Sequence, residues 1–368
     1  MTSLFPIDQV HEAARIISNA RNVVILTHMS PDGDAMGSSL GLQHWLESLL
    51  PVQGEGRCTV VVPNPFPDFL SWMPGADRVV VYEKDADKAK QLLAEADTII
   101  CTDFNEPKRI GALGECLTEV LQTNRTPCLL IDHHLHPAAF ADVVFSYPES
   151  PSSCELVFRL IKDLTGMQDY PLFGRPLNIL SATCLYTGMM TDTGNFSFNS
   201  NRADMYEIVS ELVRMGVDKD AVYNRVFNAY TADRMRLVGY CLYQKMIVIP
   251  EYHAALIYLK RKELYRFNFR SGDAEGIVNM PLQVKDIHYS CFMREDKVMP
   301  AEVPLAGGSK IKVKISMRSQ GDRPVNEFCH QVFHGGGHKN ASGGEYYGPV
   351  EQAVELFNQN YAKFFLTE

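Results

Sequence analysis

Through the first third of the chain, short apolar runs alternate with segments whose apolar residues recur every three or four positions. The apolar runs predict strands at 22–28, 58–63, 78–82, 98–103 and 127–132. The periodic segments predict helices at 35–50, 85–96 and 111–122, preceded by an amphipathic helix that carries Ile7, Val10, Ala14 and Ile17. Continuous apolar strands are typical of sheets that helices cover on both faces. The alternation therefore predicts a parallel sheet with right-handed crossovers.

The rest of the chain changes its pattern twice. Helices are predicted at 151–166, entered through Pro151-Ser152-Ser153, and at 176–190, and residues 201–246 are helical almost throughout. Further on, the sequence predicts strands at 253–260, 287–293 and 310–318 and helical segments at 271–282, 324–333 and 349–365. The predicted fold class is therefore α/β with two domains. An N-terminal parallel-sheet α/β domain (1–200) is joined by a helical linker (201–246) to a smaller C-terminal α/β domain (247–368).

Composition narrows the function classes. A chain of 368 residues, 46% of them hydrophobic, can bury ordinary packed cores and is long enough for two domains. Its formal net charge of −9 argues against a protein that coats long nucleic acid, but not against a small anionic substrate held by local cations. The nine cysteines include no C-x-x-C pair, so we expect buried, reduced thiols. Without a signal-peptide pattern or a long apolar span, the expected location is the cytoplasm.

Acidic and imidazole side chains stand where several predicted elements end. They follow the apolar runs at 23–26, 98–101 and 128–131 and the helix at 176–190. The residues concerned are His28, Asp32, Asp34, Asp103, Asp132, His133, His134 and Asp192. Because the carboxyl ends of the strands form the ligand crevice of an open α/β sheet, we expect these side chains to meet at one edge. The pattern predicts a binuclear metal centre.

Each of these residues alone has an ordinary structural explanation. Asp32 or Asp34 could cap the helix at 35–50, Asp103 could be a turn residue, and Asp192 could form an Asx turn. The set favours metal binding, because carboxylate oxygen and imidazole nitrogen without a thiolate suit Mn²⁺ better than structural zinc. Two ions about 3.5–4 Å apart clamp the attacking and leaving oxygens of a phosphoryl displacement and lower the pKa of a bound water. No serine or cysteine nucleophile is then required.

The same residues carry a resemblance to a known family. The set His28-x-x-x-Asp32-x-Asp34, Asp103, Asp132-His133-His134 and Asp192 resembles the motifs of the DHH phosphoesterase superfamily. The segment 335–344, Gly-Gly-Gly-His-Lys-Asn-Ala-Ser-Gly-Gly, is similar to the glycine-rich motif of the DHH-associated C-terminal domain. The resemblance spans essentially the whole chain. The most similar subgroup is that of nano-RNases and 3′-phosphoadenosine 5′-phosphate (pAp) phosphatases.

The resemblance implies a role for each residue. One metal ion would be held by His28, Asp32 and Asp103. The other would be held by Asp34, Asp103, His133 and Asp192, so that Asp103 bridges the two ions. Asp132 would orient a neighbouring imidazole, and His134 would face the scissile phosphate as a hydrogen-bond donor that assists the leaving group. The implied catalytic residues are therefore His134, Asp103 and Asp132.

A second set of residues is predicted to bind the substrate. Gly336, Gly337 and His338 permit close backbone approach to an anion and expose N–H groups that could bind phosphate, although three glycines could also form a flexible turn. Arg318 and Ser319 come at the end of the strand at 310–318, where Arg318 could pair bidentately with a phosphate. The basic face of this strand, formed by Lys310, Lys312 and Lys314, is more simply a solvated surface.

The resemblance and the two-domain arrangement together predict the activity. With metals on one wall of an interdomain cleft and phosphate-binding residues on the other, we expect Mn²⁺-dependent hydrolysis of single-stranded oligonucleotides of about two to five residues to 5′-mononucleotides. Mg²⁺ or Co²⁺ would substitute for Mn²⁺, and pAp would be a further substrate. A homodimer is implied; a membrane and a long duplex are not expected partners. The alternatives are hydrolysis of cyclic or linear dinucleotides, hydrolysis of polyphosphate or pyrophosphate, and a nucleotide-binding regulatory protein.

Overall fold

The computed structural model describes residues 3–49, 57–270, 272–298 and 311–365. Leu50, Ser271 and Lys310, each at one end of a predicted element, lie outside the described residues. The chain forms two compact units, Met1–Ala229 and Tyr230–Glu368. Their division falls inside the segment predicted as a linker, and the boundaries 1–200, 201–246 and 247–368 stay a prediction.

A six-stranded parallel sheet forms the centre of the first unit. Its strands are β1 (Asn22–Leu26), β2 (Arg57–Val62), β3 (Val80–Val81), β4 (Thr98–Thr102), β5 (Cys128–Asp132) and β6 (Val143–Ser146). They lie in the order β3-β2-β1-β4-β5-β6, and every neighbouring pair is parallel. The strand order therefore reverses between β1 and β4, where open α/β sheets bind ligands. β6 was not predicted, because only two of its four residues are buried and its apolar run is short.

Helices cover both faces of this sheet, which is why its strands are continuously apolar. Val23 and Ile25 of β1 face one core and Val24 and Leu26 face the other, because successive side chains of a strand alternate. The first core includes buried residues of α1 (Ile7–Asn19), α2 (Gly33–Leu49) and α5 (Ser153–Thr165). The second includes those of α3 (Ala86–Glu95) and α4 (Ala112–Thr123). The two-sided burial confirms the predicted α/β fold class.

The helices that follow divide between the two units. α6 (Ile179–Asp192), α7 (Ala203–Arg214) and α8 (Lys219–Phe227) contribute buried residues such as Ile208 and Val222 to the first core of the first unit. α9 (Ala232–Tyr240) and the π-helical turn Cys241–Lys245 belong to a core of the second unit through Leu237 and Cys241. The stretch 201–246 is therefore largely helical, as predicted, and its helices pack as parts of both units.

A six-stranded mixed sheet forms the second unit. Its strands are β7 (Ile247–Ile249), β8 (Ala254–Leu259), β9 (Tyr289–Val298), β10 (Ile311–Ser319), β11 (Gly336–His338) and β12 (Ala341–Tyr347), in the order β11-β12-β10-β9-β8-β7. β8 and β9 pair in parallel and the other neighbours antiparallel. One core includes α11 (Asn326–Phe333) and α12 (Val350–Phe365), and the other includes α9 and the 3₁₀ segment Ile277–Gln283. β7, β11, β12 and the short helix α10 (Arg261–Arg266) were not predicted.

Two features of the described residues bear on the environment of the chain. None of its helices there is both long and apolar enough to cross a membrane. All nine cysteines are free thiols, and eight of them are buried, as their apolar surroundings in the sequence predict. Burial raises the pKa of thiols such as Cys101 and Cys154 well above the ordinary value, so they stay protonated and unreactive.

Candidate metal centre

The predicted ligands come together at the carboxyl edge of the parallel sheet in the first unit. His28 follows β1, Asp103 follows β4, and Asp132 ends β5 with His133 directly after it. Because β1, β4 and β5 are neighbours in the sheet, the segments that leave them start side by side. The reversal of strand order lies at the same place, so the fold itself opens a crevice for these side chains.

Asp103 lies at the centre of the group, and its two carboxylate oxygens face different histidines. Oδ2 is 3.3 Å from Nε2 of His28, and Oδ1 is 3.4 Å from Nε2 of His133. The backbone of Asp103 is left-handed, with φ of 65°, a conformation that aspartate adopts more readily than most residues. A carboxylate that offers one oxygen to each side has the arrangement that a bridge between two metal ions needs.

The first group of candidate ligands is His28, Asp32 and Asp103, whose ligand atoms lie within 4.8 Å of one another. Nδ1 of His28 donates to the carbonyl oxygen of Met29 at 3.0 Å, so Nε2 is the nitrogen that faces Asp103 and, at 3.7 Å, Asp32. Asp32 also caps α2, since its Oδ1 accepts from two N–H groups at the start of that helix, both at 3.0 Å. Asp32 is thus both the helix cap that the sequence offered as an alternative explanation and a candidate metal ligand.

The second group is Asp34, His133 and Asp192, again with ligand atoms within 4.8 Å of one another. Nε2 of His133 lies 3.7 Å from Asp34 and 3.6 Å from Asp192. Nδ1 of His133 donates to the carbonyl oxygen of Ser150 at 3.1 Å, which orients this ring as Met29 orients His28. Asp34 is buried at the start of α2, and it accepts from two backbone N–H groups at the start of α5, at 2.6 and 2.9 Å. Both helix N-termini favour its negative charge.

Negative charge accumulates at this edge, and the titrating groups respond to it. Burial raises the pKa of Asp34 well above its ordinary value, and Asp103 and Asp192 raise it further. Burial also opposes the charged form of Asp103, but hydrogen bonds from His133 and His28 hold its pKa well below the ordinary value. Burial lowers the pKa of His28, but the carboxylates of Asp103 and Asp32 outweigh burial and raise this pKa to about 10. The centre attracts positive charge, and its mixture of carboxylate oxygens and imidazole nitrogens fits divalent metal ions.

Asp132 and His134 form a pair beside these two groups. Oδ1 of Asp132 accepts from Nδ1 of His134 at 2.7 Å, and Oδ2 accepts from the backbone N–H of His134 at 3.1 Å. Burial lowers the pKa of His134 well below the ordinary value, and the charge of Arg109 lowers it further. The ring is therefore neutral at neutral pH, and its Nε2 is an acceptor until it gains a proton. The predicted donor role of His134 accordingly applies to the protonated ring.

Two residues near the centre were not predicted. Ser153 donates from Oγ to Oδ1 of Asp103 at 3.0 Å and from its backbone N–H to Asp34. Arg109 lies in the 3₁₀ segment Pro107–Ile110, and its carbonyl oxygen accepts from the N–H of Met29 at 2.9 Å. Ser153 carried a sequence signal only as part of a helix start, where serine is common. Arg109 carried none, because it stands in an irregular stretch after Asp103.

The predicted substrate-binding residues lie in the second unit. Gly336, Gly337 and His338 form β11, which pairs with β12, so the glycine-rich segment is a hairpin rather than a loop of successive exposed N–H groups. Residues this small allow close strand pairing. The contacts of Gly336, Gly337 and His338 with a phosphate stay a prediction. A side chain at Gly337 would lie 2.6 Å from the carbonyl oxygen of Ala341, whereas one at Gly336 would meet no atom within 4 Å. Packing therefore requires glycine at 337 but not at 336.

The remaining two candidates differ in their surroundings. Arg318 pairs with Ala341, and Ala341 pairs with His338, so the three lie in one row on the same face of the sheet. The hydroxyl of Ser319 donates to the carbonyl oxygen of Arg323 and accepts from Nδ2 of Asn340. Ser319 thus holds the backbone after β10, whereas Arg318 shares a half-buried sheet face with His338.

A model of the DHH family, N-terminal domain, matches residues 22–189. That range contains every candidate residue of the metal centre except Asp192, which lies three residues beyond its end. The chain belongs to the DHH family.

Three relatives are similar over most of the chain. The crystal structure of an exopolyphosphatase-related protein from Bacteroides fragilis is 42% identical with a TM-score of 0.86, and the match covers 100% of this chain and 99% of that one. The bifunctional oligoribonuclease and PAP phosphatase NrnA of Bacillus subtilis is 24% identical over 91% of this chain and 93% of its own length. The NrnA of Thermus thermophilus is 27% identical over 90% and 87%, respectively. With this membership of the DHH family, the protein is a metal-dependent phosphoric ester hydrolase.

Proposed function

We propose that the protein hydrolyses single-stranded oligonucleotides of about two to five residues to 5′-mononucleotides and removes one phosphate from pAp. The two NrnA relatives are named for these two activities. The observation that carries the proposal is Asp103, which presents Oδ2 to His28 and Oδ1 to His133. Two-metal hydrolysis of a phosphodiester needs a bridging carboxylate in this position.

The proposed ligands divide into two sets that share Asp103. One ion is held by His28, Asp32 and Asp103, and the other by Asp34, Asp103, His133 and Asp192. Mn²⁺ is the proposed ion, with Mg²⁺ or Co²⁺ as substitutes, because carboxylate oxygens dominate the donor set and imidazole completes it. When bound, the ions neutralise the phosphoryl oxygens and lower the pKa of the attacking water.

The chain's own residues complete the chemistry on the side of His134. Asp132 keeps the proton of His134 on Nδ1, which leaves Nε2 for the substrate. We assign to Nε2 a contact with the scissile phosphate and, once the ring is protonated, donation to the leaving oxygen. Arg109 adds a positive charge here, and its guanidinium has no ion-pair partner among the residues that the structure describes. That charge suits an additional phosphate contact.

Nucleotide contacts are proposed for one face of the second unit. Arg318 and His338 lie two strands apart, about 10 Å between their backbones, on the same face. Ala341 of β12 stands between them in the same row, so little side-chain bulk separates the two. Gly336 and Gly337 would allow the substrate to approach the backbone. Ser319 would act indirectly, by holding the loop that follows Arg318.

The test compares substrates side by side. The chain is assayed with Mn²⁺, and with a chelator as control, on the linear dinucleotide pApA, pAp, cyclic di-AMP and polyphosphate. We expect AMP from pApA and AMP with orthophosphate from pAp, both abolished by the chelator. The polyphosphate assay matters because the Bacteroides fragilis relative is named as exopolyphosphatase-related. Orthophosphate from polyphosphate without any nucleotide product would contradict the proposal, and nucleotide binding without turnover would favour a regulatory protein.

Two further properties belong to the proposal. A homodimer is proposed from the family resemblance alone, and light scattering of the purified protein tests it. A cytoplasmic location is supported by the nine free cysteines, because disulfides rarely form in a reducing compartment. Fractionation of cells that produce the protein tests the location directly.

A further inference from the structure

The segment 149–154, which leads from β6 into α5, contacts three of the four proposed ligands of the second metal ion. The carbonyl oxygen of Ser150 accepts from His133 at 3.1 Å. Oγ of Ser153 donates to Oδ1 of Asp103 at 3.0 Å. The backbone N–H groups of Ser153 and Cys154 donate to the two oxygens of Asp34 at 2.6 and 2.9 Å. One short segment therefore orients most of the second site.

The first site is held differently. His28 is oriented by the carbonyl oxygen of the next residue, Met29. Asp32 is oriented by the N–H groups of Asp34 and Ala35, within the same loop and helix start. These hydrogen bonds are local in sequence, whereas those of segment 149–154 to Asp103 and Asp34 join residues 50 to 120 positions apart. A change in segment 149–154 should therefore affect the two sites unequally.

Ser153 is the residue of this segment whose side chain makes the contact. It is fully buried, and its single hydroxyl hydrogen goes to Oδ1 of Asp103, the oxygen that faces His133. The other oxygen of Asp103, Oδ2, faces His28 and has no part in this bond. The hydroxyl therefore fixes the rotation of the carboxylate and keeps one oxygen on each side.

Arg202 joins the first residue of the segment, Glu149, to Glu155, the residue directly after its end. Its Nη1 donates to the carbonyl oxygen of Glu149 at 3.2 Å, and its Nη2 donates to Oε1 of Glu155 at 3.0 Å. Glu155 is fully buried and also accepts from Nε of Arg159 at 2.7 Å. Both arginines then reach the carboxylate of Asp204 at the start of α7, at 2.7 and 2.5 Å. A buried charge in such a network is costly to leave unpaired, so the network holds segment 149–154 in place.

We propose that Ser153 is a positioning residue that orients ligands of the second metal site, and that Arg202 supports Ser153 by holding segment 149–154 in place. Ser153 acts through Asp103 and Asp34 and is not itself a ligand. This role rests on the binuclear centre of the proposed function. It predicts that the first site survives the loss of the hydroxyl while the second weakens.

The experiment measures Mn²⁺ binding to the full chain without substrate. Metal-free wild type, Ser153→Ala, Ser153→Thr and Arg202→Ala are titrated calorimetrically, and electron paramagnetic resonance of the Mn²⁺-loaded samples reports whether two ions are coupled. Lys162→Ala is the matched control, because Lys162 pairs with Glu211 at 2.8 Å and also joins α5 to α7, but on the exposed side. The melting temperature of each metal-free variant controls for folding.

We expect two binding events in the wild type. In Ser153→Ala the affinity of the first binding event stays within about twofold of wild type, while the affinity of the second weakens about 10–100-fold. The resonance signal of two coupled ions is then lost at Mn²⁺ concentrations that saturate the wild type. Ser153→Thr, which keeps the hydroxyl, restores the second event, Arg202→Ala weakens it in the same direction, and Lys162→Ala leaves it unchanged.

Four results would overturn the role of Ser153. The first is an affinity of the second binding event in Ser153→Ala within about twofold of wild type, and the second is an equal weakening of both binding events. The third is a single bound ion in the wild type. The fourth is a loss of Mn²⁺ binding that accompanies a fall of more than about 5 °C in the melting temperature. Because no substrate is present, failure of the proposed oligonucleotide activity would leave these readouts unaffected, and the two failures can be told apart.

Discussion

Hydrogen bonds orient each histidine of the candidate metal centre. Nδ1 of His28 and Nδ1 of His133 each donate to a backbone carbonyl oxygen, which leaves both Nε2 atoms toward Asp103. Such outer hydrogen bonds select the tautomer and raise the basicity of a metal ligand. His134 differs, because its Nδ1 donates to the carboxylate of Asp132. These hydrogen bonds thus distinguish His28 and His133, the two proposed ligand histidines, from His134, whose Nδ1 donates to a carboxylate.

Asp132→Asn separates a role in catalysis from a role in metal binding. The asparagine keeps the shape of the side chain but cannot accept from both N–H groups of His134 as a carboxylate does, so the ring loses its favoured tautomer. We expect kcat on pApA to fall about 10²–10⁴-fold while Mn²⁺ affinity stays within about threefold. Steady-state kinetics and calorimetric titration measure the two quantities. An equal loss of metal affinity would mean that Asp132 is a ligand.

Arg109→Ala tests the added positive charge beside His134. Removing a charged phosphate contact should lower kcat/KM on pApA about 10–100-fold, with Mn²⁺ affinity unchanged. Lys108→Ala is the control, because Lys108 lies in the same 3₁₀ segment but is exposed and paired with Glu106. If both variants behave like the wild type, the guanidinium of Arg109 does not reach the substrate.

The candidate ligands could be found in the sequence, whereas the residues that orient them could not. His28, Asp103 and the triplet that begins at Asp132 follow apolar strands. The carboxyl ends of parallel strands lie at the same edge of a sheet, so these residues are expected to lie close together. The hydrogen bond of Ser153 to Asp103 joins residues 50 positions apart, through a loop whose path no periodicity specifies. Arg109 is similar, because only the folded loop brings it beside His134.

At the scale of elements, the hairpin β11–β12 shows where glycine serves packing and where it does not. A Cβ at Gly335 would lie 1.8 Å from the carbonyl oxygen of Gly343, and one at Gly344 would lie 2.5 Å from Cβ of Phe333. Gly335 therefore allows the chain before β11 to approach β12, and Gly344 lets the hairpin lie close against the end of α11. Gly336 has open space instead, so its lack of a side chain leaves room for a ligand.

Gly336→Ala tests whether the substrate occupies that space. The fold accommodates the methyl group, so the melting temperature should not change. KM for pApA should rise roughly tenfold, a loss of about 1.4 kcal/mol of binding free energy. Gly239→Ala on α9 is the control, since a side chain there also meets no atom within 4 Å. Unchanged KM in Gly336→Ala would place the substrate elsewhere.

Strands could be predicted where both faces of the sheet are buried, and they could not be predicted reliably elsewhere. β1, β4 and β5 are almost entirely buried and read as continuous apolar runs. β11 and much of β12 consist of glycine and small residues, which have low strand propensity, so their pairing is set by β10 and the helix beside them rather than by their own sequence. That is why the sequence did not predict β11 and β12.

At the scale of the whole molecule, each unit has its own cores, and all proposed metal ligands belong to Met1–Ala229. In the second unit, Phe328 is fully buried among aromatic rings that include Phe333, Phe357 and Tyr361. Stability of the second unit and metal binding by the first are therefore expected to respond to different substitutions.

Phe328→Ala tests this separation. It should lower the free energy of unfolding of the second unit by about 3–5 kcal/mol, because the lost ring leaves a cavity, while Mn²⁺ affinity stays within about twofold. Tyr265→Ala, at an exposed position of the same unit, should change neither quantity. Denaturant unfolding and calorimetric titration are the measurements. Loss of Mn²⁺ binding under conditions where the first unit stays folded would contradict the expectation.

Metal content and turnover of Asp103→Ala test the central claim most directly. The wild-type chain, loaded with Mn²⁺ and desalted, should retain two ions and release AMP from pApA. Asp103→Ala removes the ligand that both ions share, so we predict that it does not retain two ions and that turnover falls at least about 10³-fold. Two retained ions with near-normal turnover would contradict the bridging role of Asp103.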